Sequence, residues 1–241
     1  MKFGSLIVCC ALAVASFGLE SKNVCGLMNV PSDAAVTMIA VPWVNVGADG
    51  KDVEVARLVK TDTLAAGDEL YYYNGKDYYR WVLTEGKWEP SGVTNKDGTF
   101  VAPGDGYTIP RGKGLFIVRN GESKGEIWLY GQNSTASAQV TIMAPDAGAK
   151  VAYNMIANPN TTDYDLNAKG IEGAEGDTII LSGGAITYNY SDKNWWKMVR
   201  RQETVGGKVI WVQEPSSDGV VIPAGQGAWY CSAGGKPTIV W

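Results

Sequence analysis

The chain of 241 residues contains no histidine. That absence removes Ser–His and Cys–His nucleophile systems, the commonest general base, and most zinc sites. No Ser-x-x-Lys motif stands in for them. Lysine and arginine number 21 against 25 acidic residues, without a basic cluster. Nucleic acid and anionic lipid, which both need clustered Lys and Arg, are therefore not expected partners. No apolar run reaches the roughly 20 residues that would span a bilayer as a helix. No segment carries a sustained helical stripe either, so helices are not the expected framework. Phenylalanine is scarce, with four residues, and cysteine equally so.

What is present reads as an exported β protein. Residues 1–18 have the form of a secretory signal peptide: Lys2, an apolar stretch from Leu6 to Ala15, and a small-x-small site at Ala13-x-Ala15 or Ser16-x-Gly18. Val8 before Cys9, and Cys9 before Cys10, fit a lipidated cysteine poorly. Removal of this segment leaves Cys25 and Cys231 in an oxidising compartment. A disulfide joining them would close a long loop, for which chain entropy allows about 5 kcal/mol at most; the alternative is two free, buried thiols. Thirty glycines, twelve tyrosines and nine tryptophans are the composition of short strands joined by tight turns.

The stretch Ile109-Pro110-Arg111-Gly112-Lys113-Gly114-Leu115-Phe116 recurs as Ile222-Pro223-Ala224-Gly225-Gln226-Gly227-Ala228-Trp229. Met38-Ile39-Ala40-Val41-Pro42 recurs as Met155-Ile156-Ala157-Asn158-Pro159, and Ala66-Gly67-Asp68 as Glu175-Gly176-Asp177. Tyr78-Tyr79-Arg80-Trp81-Val82 resembles Trp195-Trp196-Lys197-Met198-Val199. These anchors predict a tandem duplication: a first β repeat over 19–131, a polar linker over 132–137, and a second repeat over 138–241. The apolar period is two, as in Val36–Val41 and Thr178–Leu181. Asn74-Gly75 marks a hairpin turn. The expected fold is all-β, with two β-sandwich, jelly-roll-like units. In the recurring motif, proline opens a turn, the glycines permit positive φ or close approach, and Phe116 or Trp229 is expected in the core.

Candidate chemistry is sparse. A phosphate loop at Gly106–Lys113 has the wrong spacing, lacks Ser or Thr after the lysine, and leads into a strand. Two carboxylates suffice for glycoside hydrolysis, and Asp68 with Glu89, echoed by Asp177 and Glu214, are the candidates. Their turn-forming neighbours favour structural roles. Calcium is the one metal suggested, by Asp49 and Asp52, Asn95 and Asp97, and Asp163 and Asp165. None completes a spaced calcium loop, so no cofactor is expected. Asn133, Asn160 and Asn189 head Asn-x-Ser/Thr triplets.

The aromatics are the strongest binding candidates. Adjacent strand residues point to opposite faces, so one of Tyr78 and Tyr79, and one of Trp195 and Trp196, must face outward. With Trp81, these form a candidate carbohydrate-stacking platform; the alternative is packing between repeats or subunits. Trp43 has no aromatic counterpart in the second half, where Asn160 stands.

Asn23-Val24-Cys25-Gly26, Met155-Ile156-Ala157-Asn158-Pro159 and Ile222-Pro223-Ala224-Gly225-Gln226-Gly227-Ala228-Trp229-Tyr230 together resemble a group of secreted two-repeat β proteins of verrucomicrobial and planctomycete-type bacteria. The first repeat departs from that pattern at Val41 and Arg111. The resemblance implies export and a β fold, and brings no catalytic residue. The first functional expectation is thus a non-catalytic structural or adhesive protein of the cell surface or extracellular space, self-assembling or partnered with other envelope proteins. The second is a carbohydrate-binding module for glycans, and the third a carboxylate-dependent glycosidase.

Overall fold

Period-two runs of β-branched and aromatic residues bury one face by pairing into sheets. The computed structural model describes residues 25–30, 32, 35–43, 52–120, 125–132, 137–181, 186–202, 209–214, 219–235 and 237–241, and among these every strand pairing is antiparallel. The expected signal segment and most of the linker fall outside the described residues.

The first half runs β1 (Cys25–Val30), β2 (Val36–Ala40), β3 (Asp52–Glu54), the single helical turn α1 (Val55–Leu58), β4 (Glu69–Tyr73), β5 (Tyr78–Thr84), β6 (Lys87–Ser91), β7 (Val93–Thr94), β8 (Phe100–Val101), β9 (Thr108–Pro110), β10 (Gly114–Val118) and β11 (Ile127–Gln132). The second runs β12 (Gln139–Thr141), β13 (Ala152–Ala157), β14 (Tyr164–Asp165), β15 (Thr178–Leu181), β16 (Thr187–Ser191), β17 (Asn194–Gln202), β18 (Val209–Glu214), β19 (Val221–Ile222), β20 (Gly227–Ser232) and β21 (Thr238–Val240). A five-stranded sheet of order β2-β10-β4-β5-β6 dominates the first half, and a six-stranded sheet of order β13-β20-β15-β16-β17-β18 the second. Two-stranded ribbons accompany each: β1-β11 and β3-β9 with the former, β12-β21 and β14-β19 with the latter.

Each half has its own core. Ile39, Leu70, Trp81 and Leu115 of the five-stranded sheet pack with Val30, Leu129, Val53 and Ile109 of its ribbons. Ile156, Ile179, Trp195 and Tyr230 of the six-stranded sheet pack with Val140, Ile239, Tyr164 and Ile222. Fully burying each aliphatic side chain contributes roughly 1.5–3 kcal/mol.

The structure moves one expected anchor by a strand. Tyr78–Val82 lies on β5, whose place in the second sheet is taken by β16, not by the strand carrying Trp195–Val199. The counterpart of Trp195 is Trp88. Both follow two-residue hairpin turns with positive φ at both central positions, Glu85 and Gly86 (49° and 76°) and Asp192 and Lys193 (50° and 63°). Both indoles donate to a backbone carbonyl, Trp88 to Val59 (3.1 Å) and Trp195 to Ile171 (2.8 Å). Neighbouring strands of one hairpin share alternation and aromatic content, so side-chain pattern alone does not separate them. Glu89 on β6 and Glu214 on β18 likewise occupy non-equivalent strands.

The recurring Ile-Pro-x-Gly-x-Gly motif forms the junction between the halves. In both copies the x residue after the first glycine donates back to the proline carbonyl, Lys113 to Pro110 (3.2 Å) and Gln226 to Pro223 (3.1 Å). Each turn then reaches the other half. The Ala157 N–H donates to the Gly112 carbonyl (2.9 Å), and the Ala40 N–H to the Gly225 carbonyl (2.8 Å). A methyl group on Gly114 would stand 2.7 Å from the Ile156 carbonyl oxygen, and one on Gly227 would stand 3.0 Å from that of Ile39. The glycines are required because two backbones touch there. Met38 and Met155, at matching places on β2 and β13, are buried beside the same contacts.

Candidate functional site

Alternation divides strands of the two large sheets between the core and a second face. On β4, Leu70 and Tyr72 are buried while Tyr71 and Tyr73 are half-buried; on β10, Leu115 and Ile117 flank a half-buried Phe116; on β20, Ala228 and Tyr230 flank a half-buried Trp229. Phe116 and Trp229 therefore do not enter the cores as expected. They join the second face, where a chain of rings crosses from one half to the other. Tyr71 stacks on Phe116 (4.9 Å), Phe116 meets Tyr78 edge-on (6.3 Å), and Tyr78 lies against Tyr73 (4.7 Å). Tyr73 reaches Trp229 (5.8 Å), which meets Tyr153 edge-on (6.3 Å).

Between Tyr73 and Tyr78 on one side and Tyr153, Ile180 and Trp229 on the other lies a cleft of about 430 Å³. Lys76, Asn95 and Lys96 complete its wall. The β4–β5 turn holds one rim: the Asn74 side chain accepts from the Lys76 and Asp77 N–H groups (both 2.8 Å), and Gly75 takes φ of 110°. Burial raises the Tyr73 and Tyr78 pKa values, so both phenols stay neutral and able to donate at neutral pH.

Of the five residues expected to form a sugar platform, only Tyr78 lines this cleft. Tyr79 packs on the core side against Tyr107 (4.6 Å) and Tyr72 (6.2 Å). Trp81 and Trp195 are core residues, 2% and 1% exposed, because their strand parity turns them inward. Trp196 is half-buried, opposite in parity to Trp195, with its indole on the Ser191 carbonyl (2.9 Å), and does not line the cleft. Trp229, Tyr73 and Tyr153 were not anticipated. The signal for Trp229 was there: Trp229-Tyr230 is another adjacent aromatic pair, and parity requires one of them to leave the core.

Two of the carboxylate candidates, Asp68 and Asp177, brace turns. Asp68, fully buried, accepts from the Ala65 and Asn120 N–H groups (3.0 and 2.9 Å). Asp177, equally buried, accepts from the Ala174 and Ala233 N–H groups and from the Tyr230 hydroxyl. Glu89 is exposed, and the side chain of Glu214 lies outside the described residues. The suggested calcium ligands also cap loops: Asp97 accepts from Thr99, Asp165 from Asn167 and Ala168, and Asp163 from Ala224. Asp49 lies outside the described residues, as does the side chain of Asp52. Cys231 is a buried thiol, and the side chain of Cys25, its partner in the expected bridge, lies outside the described residues.

A second hollow, of about 450 Å³, is lined by Trp43, Arg111 and segment 159–164. Several of its polar groups are engaged locally: Arg111 Nε donates to the Pro42 carbonyl (3.1 Å), the Tyr164 hydroxyl to the Val240 carbonyl (2.8 Å), and the Lys169 ammonium sits over the Tyr164 ring, whereas the buried Trp241 Nε1 has no partner. Trp43 is a member of the first core.

The fold and cleft together describe an all-β protein with an aromatic-walled groove where two sheets adjoin. Comparison with protein-family models, curated proteins and solved structures yields no match.

Proposed function

We propose that this chain is an exported, non-catalytic saccharide-binding protein, built from two copies of one β unit, whose ligand lies in the aromatic cleft between them. The observation that carries this is the run of rings from Tyr78 through Tyr73 to Trp229 and Tyr153 along an open groove. Aromatic faces pack against the apolar faces of pyranose rings, and amides and ammonium groups at the margin bond hydroxyls. Export is supported by the form of residues 1–18. A structural or adhesive role through edge pairing has less support at β6, the outer strand of the first sheet, because Lys87 and Pro90 there are residues that guard an edge against pairing.

The test is a glycan array probed with the mature protein, followed by calorimetric titration of the oligosaccharides it retains. Trp229→Ala should weaken binding at least tenfold, whereas Trp196→Ala, outside the cleft, should leave it unchanged. An array without hits, or equal losses in the two variants, would sink the proposal.

A further inference from the structure

We propose that the saccharide taken by this cleft is acidic, its carboxylate held by Lys76, Lys96 and Asn95; the inference rests on the saccharide-binding reading above. The polar side chains of the wall other than the aromatic ones are Lys76, Lys96 and Asn95, and no Asp or Glu is among the lining residues. Lysine offers only donors. Asn95 is reduced to the same character by its surroundings. It is 8% exposed, its N–H donates to the Thr99 carbonyl (2.8 Å), and its carbonyl accepts from Gly98 (2.9 Å). Its side-chain oxygen accepts from the Tyr78 N–H (2.8 Å), which fixes the amide orientation. Its Nδ2 has no partner. The Tyr73 hydroxyl is already turned to the Gly75 carbonyl (2.6 Å).

A neutral sugar presents hydroxyl protons that need acceptors, and side-chain amide oxygens or carboxylates usually meet them. The wall offers phenol oxygens but no carboxylate and no free amide oxygen, while a buried amide donor and two lysines line it. A carboxylate is the acceptor that such a set matches best, because hydrogen bonds to an ionised oxygen are roughly twice as strong as neutral ones. The acidic residues nearby do not fill this role. Asp97, held near Lys76, points to the Thr99 N–H (2.9 Å), and Asp77 and Asp146, close enough to act on Tyr73, stand outside the lining. The aromatic rings would carry the sugar ring and the donor cluster its charge.

Calorimetric titration with a hexuronate oligosaccharide and with its carboxyl-reduced, neutral counterpart tests this. The acidic form should bind at least tenfold more tightly, and the advantage should shrink as salt rises from about 0.05 to 0.5 M. Lys76→Gln with Lys96→Gln should remove the advantage, weakening the acidic form at least tenfold more than the neutral one. Asn95→Asp keeps an acceptor for the Tyr78 N–H and should reverse the preference. A sialylated oligosaccharide in parallel separates a general carboxylate requirement from a uronate-specific one. Equal binding of the acidic and reduced forms would overturn the inference while leaving the saccharide site intact. Binding of neither, together with an empty array, would remove both.

Discussion

Asp177 ties the turn that leads into β15 to the end of β20. Its carboxylate is fully buried and accepts from the Ala174 N–H (2.8 Å), the Ala233 N–H (2.6 Å) and the Tyr230 hydroxyl. Replacing it with alanine leaves those donors unpaired in the interior, so Asp177→Ala should lower unfolding free energy by about 3 kcal/mol. Chemical denaturation checks this; a loss under 1 kcal/mol would contradict it. The neighbouring Cys231 thiol is pushed up to about 11, chiefly by burial and secondarily by Asp177, from an ordinary value of 9.0. Folding thus favours the protonated thiol. Its stabilisation is complete below pH 9 and is lost as pH rises through about 11, because the unfolded chain gives up the proton first. The buried Tyr230 hydroxyl is shifted in the same direction, so it adds to the alkaline loss. The denaturation midpoint should fall across that window, less steeply in Cys231→Ala, and the native thiol should resist alkylation at pH 8.

At the scale of elements, the two proline–glycine turns decide how the halves meet. Gly114→Ala and Gly227→Ala each push a methyl group onto a backbone carbonyl of the other half, at 2.7 and 3.0 Å. Each should cost about 1–3 kcal/mol, as overpacking of an unyielding contact does. Gly86→Ala, in a turn with open space around it, faces only its positive φ of 76° and should cost about 1 kcal/mol. Thermal melts of the three variants separate crowding from backbone strain. Equal shifts would show that the junction glycines are there for φ alone. These turns were legible in the sequence as turns, since proline and paired glycines announce them. Their role as a junction was not, because what a glycine touches depends on a chain segment far away in sequence. The same limit applies to the strands. Asn74-Gly75, Val36–Ala40 and Thr178–Leu181 were readable from turn chemistry and alternation. The β5 strand matches β17 in sequence, although β16 takes its place in the sheet, because neighbouring strands of one hairpin are alike in aromatic content.

Across the whole molecule, the two cores share no residue, and the large sheets adjoin through β2, β10, β13 and β20. The cleft exists only because both halves contribute: Tyr73, Tyr78 and Asn95 from one, Tyr153, Ile180 and Trp229 from the other. Sequence parity could assign one ring of each adjacent pair to the outside, yet it could not select Trp229 and Tyr153 over Trp196, because that choice is made by how the sheets are set side by side. A ligand bridging both walls should stabilise the molecule by about 2.7 kcal/mol at a hundred times its dissociation constant, and Gly227→Ala should weaken binding as well as folding. The most direct measurement is a titration of ¹⁵N-labelled protein with the tightest-binding oligosaccharide, following the tryptophan indole N–H signals. The Trp229 signal should move or broaden in step with binding, while those of the core residues Trp81, Trp88 and Trp195 stay fixed. Perturbation centred on Trp196, or none at Trp229 under saturating ligand, would contradict the account.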